Sequence, residues 1–128
     1  MLETTEITPS RIILSDPHIA DEDREALEQY LPQLIEDGRA VGIRKNNSVL
    51  LLILIAEKQA EVHLYTIDDP IRVASAVEEF IKQLKSSALT KIYSNMAPET
   101  PKLFKLMEKH GLIAEDSDRP EYDWMANV

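Results

Sequence analysis

The chain has 128 residues and no cysteine, and its 14 basic against 23 acidic residues give a formal net charge of −9 at pH 7. This length fits one domain, residues 1–128, with a core large enough to fold without disulfides or a structural metal. The lack of cysteine excludes thiolate metal sites and a cysteine nucleophile. The negative charge argues against nucleic acid as a partner, because binding to a phosphate backbone depends on clustered lysine and arginine.

The sequence also predicts no membrane partner. Its longest apolar run, Val49–Ala56, is too short to cross a bilayer, and Met1–Glu6 lacks the basic and apolar regions of a signal peptide. We therefore expect a soluble protein in the cytoplasm. Its acidic surface suits a basic protein partner, or serves solubility alone.

Hydrophobic periodicity and turn residues predict alternating strands and helices. In chain order they are a strand at Arg11–Ser15, a helix at Asp21–Asp37, strands at Ala40–Arg44, Val49–Glu57 and Glu61–Thr66, a helix at Ile71–Ser86, a strand at Lys91–Asn95, a helix that starts near Pro101 and ends at Gly111, and a strand at Glu121–Met125. Pro32 interrupts the first helix, so a split into two short helices is one interpretation, since proline removes a hydrogen bond.

The stretch Glu61–Leu112 is a βαβα unit, and its two strands should be parallel because a helical crossover returns the chain in the same direction. The strand Val49–Glu57 is apolar on both faces and should lie centrally in the sheet. We predict an α/β (α+β) fold, in which one mixed, mainly antiparallel sheet is flanked by helices.

The order of these elements resembles the Gcn5-related N-acetyltransferase fold. The local match is in the last helix, where the ending Glu108-Lys109-His110-Gly111 is similar to the family's Glu-Lys-x-Gly. The positions that occupy the spacing of the family pattern are Thr100, Leu103, Leu106, Met107, Gly111 and Leu112. The resemblance implies an acyl-coenzyme A site between the strands Glu61–Thr66 and Lys91–Asn95.

In that site the resemblance assigns cofactor contacts to the backbone of Leu64, Tyr65 and Thr66, and to Arg72 and Thr100. The family's glycine-rich phosphate loop is replaced by a turn that contains Asp68-Asp69-Pro70, where two carboxylates repel a pyrophosphate and proline offers no N–H. Thr100 replaces the asparagine that commonly contacts the pantetheine arm, and Met107 replaces the tyrosine often used as a general acid. Such glycine-poor chains resemble small proteins of tailed bacteriophages, some of them carried in virions.

Three side chains are candidates for catalysis. On one face of a strand, His63 suits a general base near neutral pH and Tyr65 a proton donor, while Glu57, like Glu61, flanks the preceding turn as a carboxylate base. The structural alternative is that His63 and Tyr65 pack under a helix or lie at the sheet surface, and that the two glutamates are ordinary exposed turn residues.

Four further residues allow a structural or a functional interpretation. Asp68 and Asp69 either cap the following helix or bind a metal, and no third spaced carboxylate completes a metal set, so we predict none. Tyr122 and Trp124 either belong to the core or anchor a partner.

Three functional hypotheses follow. The first is a non-catalytic acetyltransferase-like protein with a degenerate acyl-coenzyme A site, which binds another protein and in a phage would lie in the virion. The second is a divergent N-acetyltransferase that uses acetyl-coenzyme A, with Glu57 or His63 as the base. The third is an acidic inhibitor of a basic protein. The gap between the two parallel strands distinguishes the first hypothesis from the second. An open gap would admit pantetheine and favour the acetyltransferase, whereas a gap filled by Met107 and Leu103 would favour the binding protein.

Overall fold

The computed structural model describes residues 21–97 and 100–128, so the predicted strand Arg11–Ser15 lies outside the described residues. The elements are α1 (Asp21–Glu36), β1 (Ala40–Lys45), β2 (Ser48–Ala56), β3 (Gln59–Thr66), α2 (Pro70–Ser86), β4 (Lys91–Ser94), α3 (Thr100–Lys109), β5 (Ala114–Asp116) and β6 (Trp124–Asn127). No helix within these ranges is long and apolar enough to cross a membrane.

The strands form one sheet in the order β1-β2-β3-β4-β6-β5. The pair β3 and β4 is parallel, because α2 carries the chain back to the same end, and the other neighbours are antiparallel. This confirms the predicted mixed, mainly antiparallel sheet flanked by helices.

Each face of the sheet has its own apolar core, because successive side chains of a strand point to opposite sides. On one face Leu50 and Val62 pack against α2 and α3. On the other face Val49 and Leu51 pack against Leu31 of α1. The strand β2 therefore buries both faces, as its unbroken apolar sequence predicts.

Helix α1 is continuous across Pro32, so the interpretation as two short helices is wrong. Pro32 lies on the exposed side of the helix, and so does Glu28, whose carbonyl loses its helical partner and can be satisfied by water. The buried stripe around Leu31 holds both halves on the sheet. The helix ends at Gly38, which has φ +72°, a left-handed conformation that glycine adopts without strain.

The C-terminal region differs from its prediction. The last strand spans Trp124–Asn127 rather than Glu121–Met125, and the short strand Ala114–Asp116 pairs with it. Residues 117–123 between these strands form a loop held by turns, in which the Tyr122 N–H donates to the Arg119 carbonyl at 3.2 Å. Pro120 in this loop has no N–H to donate to a ladder, and pairing with β4 begins at Trp124, opposite Ser94.

Candidate functional site

The parallel strands β3 and β4 separate at one end of the sheet. They pair only through Gln59–Glu61 and Lys91–Tyr93. Beyond these pairs the Ser94 hydroxyl donates to the Val62 carbonyl at 2.7 Å, in the place where the next backbone N–H of a continued ladder would bond. We call this point the fork.

Backbone groups of β3 face the opening beyond the fork. The Val62 carbonyl points toward β4 because it accepts from Ser94. Since the N–H and C=O of one residue lie on the same side of a strand and the side alternates, the backbones of Leu64 and Thr66 also point into the opening. The backbone of Tyr65 points the other way, toward β2, where Tyr65 pairs with Val49.

A cleft of about 1010 Å³ begins at the fork. Its walls come from α1, β2, β3, α2, the end of β4, α3 and β6. They include Leu27, Tyr30, Leu51, His63, Leu64, Tyr65, Thr66, Val73, Asn95, Thr100, Leu103 and Trp124. Met107 is only 4% exposed and belongs to the core under α3, outside the cleft. Among residues 21–97 and 100–128 no side chain fills the gap, and Leu103 is a wall residue.

A hydrogen-bonded trio lies where the cleft meets the sheet surface. His63 Nε2 lies 2.5 Å from Glu61 Oε2, and the Tyr122 hydroxyl donates to Glu61 Oε1 at 2.6 Å. Glu61 and His63 both line the cleft, and their side chains are 25% and 31% exposed. The His63 ring also stacks on Tyr65, with centroids 6.1 Å apart and planes 23° apart. Two contacts thus fix the plane of this imidazole.

The electrostatics of the trio keep Glu61 ionised. The hydrogen bond from His63 lowers the pKa of the Glu61 carboxyl below 4.5, with a further lowering by Tyr122 that partial burial opposes. Burial, together with the neighbouring Glu61 carboxylate, raises the pKa of Tyr122 well above 10, so this hydroxyl keeps its proton. An ionised carboxylate only accepts hydrogen bonds, so Nε2 of His63 must carry a hydrogen.

The start of α2 is closed by its own side chains. Asp69 is the N-cap, and its carboxylate accepts from the Arg72 N–H at 2.9 Å. Pro70 follows without an N–H. The capping prediction is therefore correct for Asp69. It is wrong for Asp68, which accepts instead from the Asn47 N–H at 2.8 Å and the Ser48 hydroxyl at 2.9 Å.

Of the remaining predicted site residues, Thr100 lines the cleft, whereas Arg72 and Glu57 do not. The Arg72 side chain is 63% exposed and lies outside the cleft lining, 3.9 Å from the Asp69 carboxylate. Glu57 is exposed in the turn between β2 and β3, six residues before His63, and does not line the cleft. Thr100 is buried in the cleft wall as the first residue of α3, and its hydroxyl accepts from the Ala97 N–H at 2.7 Å.

Glu61 was predicted as a carboxylate base like Glu57, but its pairing with His63 was not predicted, and Tyr122 was predicted only as a core residue or a partner anchor. The pattern Glu61-Val62-His63 places the carboxylate and the imidazole on the same face of a strand, which is the signal that sequence reasoning could have used. Tyr122 lies 61 positions away from Glu61 and carries no local signal. Within residues 21–97 and 100–128, no three His, Asp or Glu side chains form a group able to hold a metal ion.

Comparison with known proteins gives structural relatives only. No protein-family model and no curated protein matches the sequence. The chain is similar to an acetyltransferase from Bacillus subtilis in complex with CoA, with a TM-score of 0.55 and 14% identity, covering 98% of this chain and 93% of that one. It is also similar to the spermidine N-acetyltransferase of Vibrio cholerae in complex with CoA and spermine, with a TM-score of 0.53 and 20% identity over 89% and 77% of the two chains. The chain has the Gcn5-related N-acetyltransferase fold.

Within this fold, the predicted cofactor strands are those that separate at the fork. The open side of the acetyltransferase fold is thus the side that carries the Leu64 and Thr66 backbone groups and the Glu61–His63 pair.

Proposed function

We propose that the protein is a divergent N-acetyltransferase that uses acetyl-coenzyme A, with His63 as the base that deprotonates an amine acceptor. The observation that carries this proposal is the open cleft at the fork with the Glu61–His63 pair on its wall. The fold is shared with solved acetyltransferases in complex with CoA, which supports the donor.

The pantetheine arm fits the fork. Its two amides need donors and acceptors in an extended arrangement, and the strand edge at Leu64 offers a backbone donor and acceptor as it would to another strand. The Thr100 oxygen accepts from Ala97, which leaves the hydroxyl hydrogen for an acceptor in the cleft. These backbone and hydroxyl groups are uncharged, so they match an uncharged arm.

The diphosphate does not fit the start of α2. A helix N-terminus attracts anions through exposed N–H groups, but here the Asp69 carboxylate already takes the Arg72 N–H and Pro70 has none. Asp68 adds a second carboxylate to this turn. The donor is therefore held through its arm, and we assign no phosphate contact to this turn.

His63 performs the proton transfer. An alkyl amine is protonated near neutral pH, because its pKa is about 10, and it must lose a proton before its nitrogen can attack a carbonyl. Nε2 of His63 carries its hydrogen toward Glu61, so Nδ1 holds the lone pair that accepts the proton. Bound acetyl-coenzyme A would supply an activated thioester, and the C–N bond would form while the C–S bond breaks. The nitrogen would then lose its second proton, which balances the thiolate that leaves, and His63 would return the first proton to solvent.

The test is release of free thiol from acetyl-coenzyme A in the presence of a panel of primary amines and lysine peptides. We expect turnover by the wild type and a loss of at least about 100-fold in kcat/KM for His63→Gln, as removal of a general base requires. The matched control is His110→Gln, which changes a histidine outside the cleft lining and should retain wild-type turnover. Absence of thiol release across the panel, or equal rates in wild type and His63→Gln, would overturn the proposal.

A second candidate is a non-catalytic protein that binds a protein partner. It is favoured by the start of α2, where Asp69 occupies the Arg72 N–H and Pro70 has no N–H, so few donors can bind an anionic cofactor. Isothermal titration with acetyl-coenzyme A distinguishes the two: no heat of binding at millimolar ligand is expected for the binding protein. Micromolar binding that is lost when the cleft wall is filled by Leu103→Trp would remove this candidate.

A further inference from the structure

The loop of residues 117–123 connects β5 to β6 and brings Tyr122 to Glu61. We propose that Tyr122 is a positioning residue that acts through Glu61 to hold His63 in the tautomer with a lone pair on Nδ1. This inference rests on the proposed function for its catalytic consequence. Its structural part, the control of His63 by Tyr122, is independent of any activity.

Several contacts fix the loop on the sheet. The Arg119 guanidinium lies over the Tyr93 ring at 5.2 Å and donates to Gln59 Oε1 at 2.6 Å. Asp118 accepts from the Tyr93 hydroxyl at 2.7 Å and from Lys91 Nζ at 3.2 Å. The loop is thus attached to both parallel strands. Because of these attachments, the position of Tyr122 is determined by the sheet rather than by the loop alone.

The Tyr122 side chain is itself held at both ends. Its ring packs on Tyr93, with centroids 5.4 Å apart, and its hydroxyl donates to Glu61 Oε1 at 2.6 Å. The second carboxylate oxygen, Oε2, meets Nε2 of His63. Each oxygen of Glu61 therefore has its own donor, and the carboxylate cannot rotate without breaking one of these hydrogen bonds.

The two donors have different consequences. The Tyr122 hydroxyl keeps its proton, because burial and the carboxylate oppose its ionisation, so it can only be the donor toward Glu61. Glu61 must then present Oε2 as an acceptor to His63, which places the imidazole hydrogen on Nε2. Without the hydroxyl, the Glu61 carboxylate can turn away from His63, and the imidazole then loses the acceptor that selects this tautomer.

The chain offers a matched pair of variants. Tyr122→Phe removes the hydroxyl on Glu61 and keeps the ring on Tyr93. Tyr93→Phe removes the other hydroxyl of the ring pair, which bonds Asp118 and does not touch Glu61, while the Lys91–Asp118 and Arg119–Gln59 contacts still hold the loop. We expect ¹⁵N spectra of His63 to show one tautomer in the wild type and in Tyr93→Phe, and a mixture in Tyr122→Phe. The Glu61 carboxyl, followed by ¹³C, should titrate at a higher pH in Tyr122→Phe only. Identical His63 and Glu61 spectra in all three proteins would overturn the inference.

Steady-state kinetics provide a second test of the role of Tyr122. Tyr122→Phe should lower kcat about tenfold with KM unchanged, because the base is misoriented while binding is retained. In a Glu61→Gln background the same substitution should have no further effect, since Tyr122 acts through Glu61. Additive effects would show that Tyr122 acts on its own and would contradict the inference. Wild-type protein without turnover would refute the proposed function, and the spectra of His63 would still decide the role of Tyr122.

Discussion

At the scale of single residues, protonation of Glu61 would weaken two hydrogen bonds that its carboxylate accepts. It accepts from His63 and from Tyr122, and these hydrogen bonds lower its pKa in the folded protein, with that of His63 first. A lowered pKa means that the folded state favours the ionised form. The resulting stabilisation is present above the unfolded value of 4.5 and is lost as the pH falls through the lower folded value.

We therefore predict a pH-dependent difference between wild type and Glu61→Gln. Near neutral pH the wild type should have the higher free energy of unfolding, by about 1 kcal/mol, because the pair is partly exposed to solvent. Below 4.5 the difference should shrink toward zero. Urea denaturation of both proteins across this pH range measures it. A difference that stays constant with pH would contradict the assignment.

The residue scale also shows how far sequence reasoning reaches. Alternation along β3 correctly placed His63 and Tyr65 on one face, and it applies equally to Glu61. The Tyr122 contact depends on the conformation of residues 117–123, which is set by Asp118 and Arg119 meeting Tyr93 and Gln59. Such long-range polar contacts leave no periodic pattern, so the sequence predicted Glu61 and His63 as candidate bases but not the contact with Tyr122.

At the scale of elements, one hydrogen-bonded cluster joins two turns. The Asp68 carboxylate, in the turn before α2, accepts from the N–H of Asn47, in the turn between β1 and β2, and from the hydroxyl of Ser48, the first residue of β2. Ser48 and Thr66 share a further hydrogen bond of 2.6 Å. These hydrogen bonds attach the start of α2 to the neighbouring hairpin. They also fix the position of Asp68, which lines the cleft.

We predict that Asp68→Ala lowers the free energy of unfolding by about 1 to 3 kcal/mol, because two partly buried donors lose their acceptor. In combination with Ser48→Ala the loss should be less than additive, since both substitutions break the same contact. Asp69→Ala serves as the control: it removes the cap of α2 at a cost of about 1 kcal/mol and should add independently to Ser48→Ala. Urea denaturation of the single and double variants measures these terms. Full additivity for Asp68 would argue against the cluster.

Most elements were predictable because their patterns are local. The stripe of α2 and the apolar run of β2 follow from spacing alone, and Gly111 ends α3 with φ +84° as expected. The errors have a common physical origin in tertiary packing. Burial of Leu31 keeps α1 continuous through Pro32, and pairing with Ser94 sets where β6 begins.

At the scale of the whole molecule, charge opposes an anionic ligand. The net charge is −9, and the cleft is lined by the carboxylates of Asp23, Glu61 and Asp68 and by the ammonium of Lys102. A long-range repulsion of this sign weakens with added salt, because ions screen charges beyond about 10 Å at moderate ionic strength.

Acetyl-coenzyme A should therefore bind more tightly as salt is raised, the opposite of a site built on clustered cations. S-acetylpantetheine, which lacks the nucleotide and its phosphates, serves as the uncharged control, and its affinity should be independent of salt. Isothermal titration at low and high ionic strength measures both ligands. A steep loss of acetyl-coenzyme A affinity with salt would mean that phosphate contacts dominate and that the arm is not the main determinant.

The fork at Ser94 has one more consequence, which concerns hydrogen exchange. Ala60 lies where β3 is paired on both edges, whereas Leu64 and Thr66 direct their amides into the cleft beyond the Ser94–Val62 hydrogen bond. One strand should thus contain two classes of amide, with slow exchange of deuterium at Ala60 and fast exchange at Leu64. A ligand whose arm pairs with the strand edge would slow the second class alone, so the ligand's position could be recorded amide by amide without any chemical turnover.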